Sequence, residues 1–407
     1  MRIGFLFNHD QIHQVAHSLP IALALVKSDP DLEVIVATTN EVLRREVMRI
    51  IALHGGLGPR LVRLRQKNPI VRGIVRALDG VIPAAKLAVY RDNLEFFRSL
   101  DALVVAEKTS AVLKTRYGLD NLRLIHTRHG AGDRAVGFNK ASARFDFVLV
   151  SGPKIRDRLI AETGLPPENM AIVGYPKFDL IRNRSLPPKL QGNGQPTVLY
   201  NPHASPHLSS WYRHGRAVLD FFVDNPNYNL IFAPHVMLFE RKVVISIDKL
   251  RLDWPGQIAP KYWDAPNIHI DLGSAASTDM SYTEAADIYL GDVSSQVYEF
   301  LLRPRPCIFL NSHRLEYAAD PNFAHWAAGT VVDDPSALEA TLARAATEHR
   351  RYLGIQRDLF ARSIALTKTP SSERASQAIR QFLQIPEGSA PAAAARAASR
   401  RAASAAA

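Results

Sequence analysis

Arg-Ile-Gly-Phe-Leu-Phe at residues 2–7 and Leu-Glu-Val-Ile-Val-Ala-Thr at residues 32–38 are short apolar runs, and residues 13–27 between them have helical spacing. This order of strand, helix and strand predicts a β-α-β opening. The same alternation continues through apolar runs at residues 102–106, 123–127, 147–150 and 171–173. Strands that alternate with helices predict a parallel sheet with helices on both of its faces.

The second half of the chain repeats this alternation. Further strands are predicted at residues 197–200, 230–233, 268–270, 288–290 and 307–310, and helices at 213–223, 282–286, 294–302, 336–351 and 372–383. A polar, Pro/Gly-rich segment at 185–196 separates the halves. We therefore predict an α/β protein with two doubly wound, Rossmann-like domains over residues 1–185 and 195–385, with ligands bound in the cleft between them.

The composition excludes several classes of protein. The 407 residues are 47% hydrophobic and 22% charged, which is typical of two packed domains and not of a disordered chain. No apolar run approaches the roughly 18 residues that span a bilayer, and residues 1–10 do not resemble a signal peptide. We therefore expect a cytoplasmic location. The Ala/Arg/Ser-rich residues 388–407 are expected to be disordered.

The net charge of +11 is concentrated in two places. The C-terminal tail carries three of the surplus charges, and residues 44–76 carry eight. The latter stretch alternates bases with apolar residues and contains no aromatic residue, so nucleic acid is disfavoured as a partner. Two interpretations remain for it. It is either a solvated helix whose apolar face belongs to the core, or a basic segment that rests on an anionic membrane surface.

The strongest local signal is Ile-Tyr-Leu-Gly-Asp-Val-Ser-Ser-Gln-Val-Tyr-Glu-Phe at residues 288–300. A predicted strand ends there, and Ser294 and Ser295 open a predicted helix whose free amides favour an anion such as a diphosphate. Glu299 follows one turn later and can accept hydrogen bonds from a ribose diol. Asp292 is a candidate for lining the site. The alternative interpretation is that Ser294 or Asp292 only caps the helix.

Two further strands end in histidine. Residues 124–132 run into a glycine-rich turn that carries His129 and Gly130, and a histidine at this position can act as a general base. His235 follows the predicted strand at 230–233 and is a candidate to reach the phosphates from the second domain. His203, after the strand at 197–200, either lines the cleft or only belongs to a loop, and Gly130 is a further candidate for lining the cleft. Metal-ligand spacing is lacking around these histidines, so we expect no metal site. No dinucleotide-binding or P-loop motif is present, which disfavours redox chemistry and P-loop hydrolysis.

The chain resembles the CDP-glycerol glycerophosphotransferase family of teichoic-acid-type polymerases. The resemblance is carried, in this order, by His129-Gly130, residues 145–153, residues 173–179, Pro234-His235, residues 292–295 and residues 371–376. It implies a GT-B fold with the active site between two Rossmann-like domains. It also implies that His129 is the base, that His235 lies beside the leaving phosphates, and that Ser294 and Ser295 hold the diphosphate.

The function that this resemblance implies is transfer of glycerol phosphate, or a similar phospho-polyol, from a CDP-activated donor to an acceptor hydroxyl. The acceptor is then an envelope polymer or a lipid-linked molecule, the protein works at the inner face of the cell membrane, and no cofactor is required. Two alternatives remain open. One is a GT-B glycosyltransferase that uses a nucleotide sugar for surface polysaccharide. The other is a non-catalytic nucleotide-binding subunit, because Phe232 and Ala233 stand where the family commonly has an arginine.

Overall fold

The computed structural model describes residues 1–8, 12–56, 58–66, 84–128, 130–181, 190–240, 244–246 and 251–386. The chain divides into two compact units. The first comprises Met1–His129, Phe138–Asn183 and Ile364–Ala407, and the second comprises Gly130–Gly137 and Arg184–Ser363. The expected disordered tail, residues 388–407, and residues 185–189 of the linker at 185–196 lie outside the described residues.

The first unit is built on a parallel sheet. Its strands are β1 (Arg2–Phe7), β2 (Glu33–Thr38), β3 (Arg60–Arg63), β4 (Ala102–Val105), β5 (Arg123–Thr127), β6 (Phe147–Val150) and β7 (Met170–Ile172). They lie in the order β3-β2-β1-β4-β5-β6-β7, and every pairing is parallel. This is the order of a doubly wound Rossmann-like sheet, in which the chain reverses its direction of winding between β1 and β4.

Helices cover both faces of this sheet. They are α1 (Val15–Ser28), α2 (Glu41–Leu53), α3 (Ala84–Asp92), α4 (Leu94–Arg98), α5 (Val112–Thr115), α6 (Pro153–Thr163) and, near the C-terminus, α12 (Ser371–Phe382). Successive side chains of β1 enter different cores, since Phe5 packs in one apolar cluster and Leu6 in the other. Burial on both faces explains why β1 is almost entirely apolar.

The second unit repeats the architecture. Its main sheet contains β8 (Thr197–Asn201), β9 (Asn229–Phe232), β12 (Ile268–Ile270), β13 (Ile288–Gly291), β14 (Cys307–Leu310) and β15 (Thr330–Val332), in the order β12-β9-β8-β13-β14-β15. The strands β10 (Val244–Ser246) and β11 (Arg251–Asp253) form a separate antiparallel pair. The helices are α7 (Trp211–Asp224), α8 (Pro260–Trp263), α9 (Ser281–Ala285), α10 (Gln296–Phe300) and α11 (Leu338–Ser363).

Two parallel, doubly wound sheets confirm the predicted α/β fold class. Some local details differ from the sequence-based expectation. The helix expected at residues 294–302 covers only Gln296–Phe300, which is too short for a substantial helix dipole. The strands β3 and β15 were not predicted, because β3 is an edge strand whose side chains are mostly exposed and β15 has only three residues.

The last helix belongs to the first unit, whereas the sequence assigned residues up to 385 to the second domain. The physical reason is packing: Ala375 and Ile379 of α12 are fully buried in the same apolar cluster as Phe5. The Arg380 guanidinium also donates to the Asp29 carboxylate over 2.9 Å. The chain therefore returns from the second unit to complete the core of the first.

The basic stretch at residues 44–76 is described up to Gln66, except for Leu57. On α2, the apolar residues Leu43, Val47 and Ile50 are buried in the core of the first unit. The apolar side of this helix therefore belongs to the core, and the expected contact of the stretch with a membrane surface stays a prediction. Within the described residues, no helix is both long enough and apolar enough to cross a membrane.

The grouping of α12 with the first unit predicts a local effect of Ile379→Ala. Loss of the buried side chain should destabilise the first unit by about 2 to 5 kcal/mol, because a cavity remains in its core. Hydrogen exchange at β1 amides should accelerate. The four tryptophans, Trp211, Trp254, Trp263 and Trp326, all lie in the second unit, so the tryptophan fluorescence transition should hardly shift.

The matched control is Gln381→Ala, on the exposed side of the same helix, which should leave both readouts unchanged. If Ile379→Ala shifts the tryptophan transition and leaves β1 exchange unaltered, α12 belongs to the second unit instead.

Candidate functional site

The candidate site lies at the carboxyl edge of the second sheet. The strands β8 and β13 are hydrogen-bonded neighbours in this sheet, although β9 and β12 of the same sheet lie between them in chain order. This is the switch point of a doubly wound sheet, the place where such sheets bind ligands. His203 follows β8, His235 follows β9, and Asp292 directly follows β13. The fold thus brings these predicted residues to one edge.

Asp292 holds the loops of this edge together. Its side chain is fully buried, and the carboxylate accepts hydrogen bonds from the backbone N–H of His203 (2.9 Å) and from the N–H and hydroxyl of Ser210 (2.6 and 2.8 Å). Burial raises the pKa of Asp292 from its ordinary value. The Asp292 carboxylate therefore holds these loops in place through its protein donors, and its expected place in the lining of the site stays a prediction.

One arginine and two histidines form a cluster beside Asp292. The Arg134 Nη1 atom lies 2.8 Å from His203 Nε2, and the rings of His203 and His235 are 5.5 Å apart between centroids. Burial, followed by the charge of Arg134, lowers the pKa of His203 well below its ordinary value and that of His235 to about 4. Both histidines are therefore neutral at pH 7, and the cluster carries the positive charge of Arg134.

The two predicted serines differ in their surroundings. Ser294 is buried, and its Oγ accepts a hydrogen bond from the Gln296 backbone N–H at 3.3 Å. Ser295 is exposed and lies against the glycine turn, because a Cβ on Gly130 would stand 3.4 Å from Ser295 Oγ, and one on Gly132 2.9 Å from Ser295 Cβ. Small residues in the turn therefore leave the Ser295 hydroxyl open at this edge.

A second buried carboxylate anchors the segment that carries Arg134. Asp133 Oδ2 accepts a hydrogen bond from the Tyr298 hydroxyl at 2.6 Å and lies 3.0 Å from His325 Nδ1. The His325 Nε2 atom is in turn 3.0 Å from the backbone carbonyl oxygen of Asp292. Residues 130–137 are thus tied to the same edge as Asp292, which is how Arg134 reaches the two histidines.

The remaining predicted residues have mixed outcomes. Glu299 is buried on α10, and its expected contact with a ribose stays a prediction. His129 lies outside the described residues, so its expected role as base also stays a prediction. Within the described part of the chain, no group of three or more His, Cys, Asp and Glu side chains is placed to hold a metal ion.

The sequence did not single out Arg134, Asp133, Ser210 or His325. These residues have no motif of their own, and their role depends on contacts with distant parts of the chain. Arg134 is separated by 69 positions from His203, and Asp133 by 192 from His325. The one local signal was the position of Asp133 and Arg134 immediately after the glycine-rich turn that carries His129 and Gly130.

No protein-family model matches the sequence, and no curated protein matches it either. Solved structures do match. The wall teichoic acid polymerase TagF aligns with a TM-score of 0.59 and 12% identity over 95% of this chain and 90% of that chain. The S. aureus MnaA–UDP structure gives 0.60 and 14% over 95% and 98%. UDP-GlcNAc 2-epimerase from Neisseria meningitidis bound to UDP-GlcNAc gives 0.58 and 11% over 95% and 100%.

At such low identities these matches show the fold alone. The fold is GT-B-like, as the motif resemblance implied, and a teichoic acid polymerase is among its structural neighbours.

The neutral, buried state of His203 predicts a pH dependence of stability. The unfolded chain binds a proton at this residue near pH 6.5, but the folded protein does so only at much lower pH. The stabilising contribution is therefore complete above about pH 6.5 and is lost as the pH falls. His203→Gln should reduce the slope of unfolding free energy against pH, below 6.5, by up to about 1.4 kcal/mol per pH unit.

The measurement is urea unfolding at a series of pH values. His214→Gln on α7, outside the cluster, is the matched control. Parallel stability curves for the wild type and His203→Gln would contradict the account of a buried, neutral imidazole.

Proposed function

We propose that the second unit binds the diphosphate of a nucleotide-activated donor at the carboxyl edge of its sheet. The observation that carries this proposal is the cluster of Arg134, His203 and His235 at the switch point beside β8 and β13. A guanidinium forms strong, bidentate hydrogen bonds with phosphate oxygens, and a half-buried one forms them with less competition from water. The exposed Ser295 hydroxyl supplies a further donor.

His235 is suited to donate a hydrogen bond to a phosphate. Its Nδ1 accepts the backbone N–H of Met237 at 3.3 Å, so the neutral ring carries its proton on Nε2. Its pKa of about 4 keeps the free ring neutral, because burial and Arg134 disfavour the imidazolium. A bound anion favours the charged form and raises that pKa. The ring is then protonated more readily, which places positive charge beside the phosphate.

The reaction that we propose is transfer of glycerol phosphate, or a similar phospho-polyol, from a CDP-activated donor. The acceptor hydroxyl oxygen attacks the β-phosphorus and its proton passes to His129. A phosphorus–oxygen bond to the acceptor forms, the bond from the β-phosphorus to the bridging oxygen breaks, and CMP leaves. Arg134 and His235 stabilise the charge that develops on the departing phosphate. The GT-B-like fold and the neighbour named as a teichoic acid polymerase support this choice.

A second candidate uses the same site for a nucleotide sugar. Two of the structural neighbours, MnaA with UDP and the Neisseria epimerase with UDP-GlcNAc, hold such nucleotides, and both share the fold with this chain. In that reaction the acceptor oxygen attacks the anomeric carbon, and the whole nucleoside diphosphate leaves. The diphosphate contacts of Arg134, His235 and Ser295 are the same, so the base and the transferred group distinguish the two candidates.

The proposed acceptor is an envelope polymer or a lipid-linked molecule at the inner face of the cell membrane. The exposed side of α2 supports a peripheral contact with an anionic surface, because Met48 and Leu53 are exposed there beside Arg45 and Arg49. Apolar side chains flanked by bases are typical of segments that rest on anionic lipid. The buried side of the same helix belongs to the core and takes no part.

The test of the proposed function is calorimetric titration with CDP, UDP and GDP, followed by product analysis with the corresponding activated donors. We expect CDP to bind most tightly and CMP to be the released product. Tightest binding of UDP, with UDP as product, would favour the nucleotide-sugar candidate. Binding of a nucleotide without turnover of any donor would favour a non-catalytic subunit. Failure of all three nucleotides to bind would overturn the proposal.

Arg134→Gln should weaken binding of the preferred nucleoside diphosphate by about 10- to 100-fold, since a charge-assisted hydrogen bond contributes on the order of 1.5 to 3 kcal/mol. Affinity is measured by calorimetry. Arg350→Gln, an exposed position on α11, is the matched control and should bind like the wild type. Equal affinity of Arg134→Gln and the wild type would remove Arg134 from the site.

His129→Ala should lower turnover by roughly 100- to 10,000-fold and leave nucleotide affinity nearly unchanged, because a general base acts on the acceptor and chiefly in the transition state. Turnover and calorimetric affinity are measured on the same preparation. His349→Ala on α11 serves as the control. Full turnover in the His129 variant would show that another group takes the proton.

A further inference from the structure

We propose a second anion site, in the first unit, that binds a phosphoryl group. It is a cavity of about 320 Å³, lined by Thr38, Glu41, Arg44, Leu61, Val62, Arg63 and Arg65. The cavity lies where β2 and β3 end and α2 begins. Its lining belongs entirely to the first unit, and the nucleotide site belongs to the second, so this inference does not rest on the proposed function.

The backbone fixes two of the arginines on one side of the sheet edge. Arg63, the last residue of β3, pairs with Thr38 of β2, and the Leu64 N–H continues the ladder by donating to the Thr38 carbonyl oxygen at 2.9 Å. Leu64 is buried in the core, whereas Arg63 and Arg65 are exposed. Alternation along an extended segment therefore directs both guanidinium groups away from the core and toward the cavity.

The cavity has a surplus of positive charge. Among the described lining residues Glu41 is the one carboxylate, and it faces two arginines: Arg44 Nε lies 3.2 Å from Oε1, and Arg63 Nη1 lies 3.2 Å from Oε2. Within the described residues, Arg65 has no acidic partner. The described lining thus holds three guanidinium groups and one carboxylate, a surplus of two positive charges that a ligand can balance.

The existing ion pairs are weak enough for a ligand to replace. The side chains of Glu41, Arg44 and Arg63 are each about 40% exposed, and ion pairs with that much solvent contribute little. A phosphoryl group carries up to two charges and offers several oxygens for bidentate contacts with arginine. It therefore competes well for Arg44 and Arg63 while also engaging Arg65. None of the described residues that line the cavity is aromatic, so the ligand chemistry is that of the phosphoryl group itself.

The experiment measures binding of inorganic phosphate to the full chain by calorimetry. The combined change Arg63→Gln and Arg65→Gln should weaken phosphate affinity at least tenfold. Glu41→Gln should strengthen it several-fold, because it removes the competing carboxylate. The matched control is Arg60→Gln, at the opposite end of the same strand, where the guanidinium pairs with Glu33. This control should bind phosphate like the wild type.

Two results would overturn the proposal. One is equal phosphate affinity in the wild type and the Arg63/Arg65 double variant. The other is an equal loss in the control at Arg60, which would reduce the effect to general surface charge. Thermal unfolding confirms that each variant is folded, and the single variant Arg65→Gln, which breaks no existing ion pair in the described chain, repeats the test if the double variant is unstable.

A vesicle experiment identifies the source of the phosphoryl group. Phosphatidylcholine vesicles with and without phosphatidic acid are sedimented with the protein. If phosphatidic acid recruits the wild type and the Arg60 control but not the Arg63/Arg65 variant, the ligand is a lipid headgroup. If phosphate binds but the vesicles do not discriminate among the variants, the ligand is a soluble phosphate ester. Both outcomes support the site. The result that would exclude it is equal phosphate affinity in the wild type and the Arg63/Arg65 double variant.

Discussion

The arrangement of the candidate site depends on the buried carboxylate of Asp292. Its side chain binds the loop after β8 and the start of α7, and its backbone carbonyl accepts the Trp326 Nε1–H at 2.7 Å. A buried carboxylate is costly unless it is fully hydrogen-bonded, so these loops are fixed in the positions that satisfy it. His203 is held by this requirement, and the cluster around it forms as a consequence.

Asp133 is a second buried carboxylate whose hydrogen bonds fix the position of a loop, here residues 130–137. Residues 130–137 group with the second unit although the residues on either side of them group with the first. The contacts of Asp133 with Tyr298 and His325 account for this, and they deliver the neighbouring Arg134 to the histidines. The positive charge of the site is therefore supplied by the loop at residues 130–137 and not by the strands β8 and β13. A change in the loop alters the charge without altering the sheet.

Much of the fold was predictable because the strands are buried on both faces and read as continuous apolar runs. The runs at β5, β6 and β14 were predicted with the bounds that the structure gives. The edge strand β3 was missed because its charged side chains hide the pattern. The placement of α12, like that of Arg134, depends on contacts between distant parts of the chain, which local periodicity does not contain. The sequence therefore predicted the strands that carry site residues, but not the loop residues, such as Arg134, that complete the site.

The central claim is that the edge organised by Asp292 binds the diphosphate of a nucleotide. A crystal structure of the full chain with bound CDP tests it most directly. The account predicts the diphosphate within hydrogen-bonding distance of Arg134 and His235, with the Asp292 carboxylate still bound to its protein donors and not to the ligand. A nucleotide bound away from the carboxyl ends of β8 and β13, or one held directly by Asp292, would contradict it.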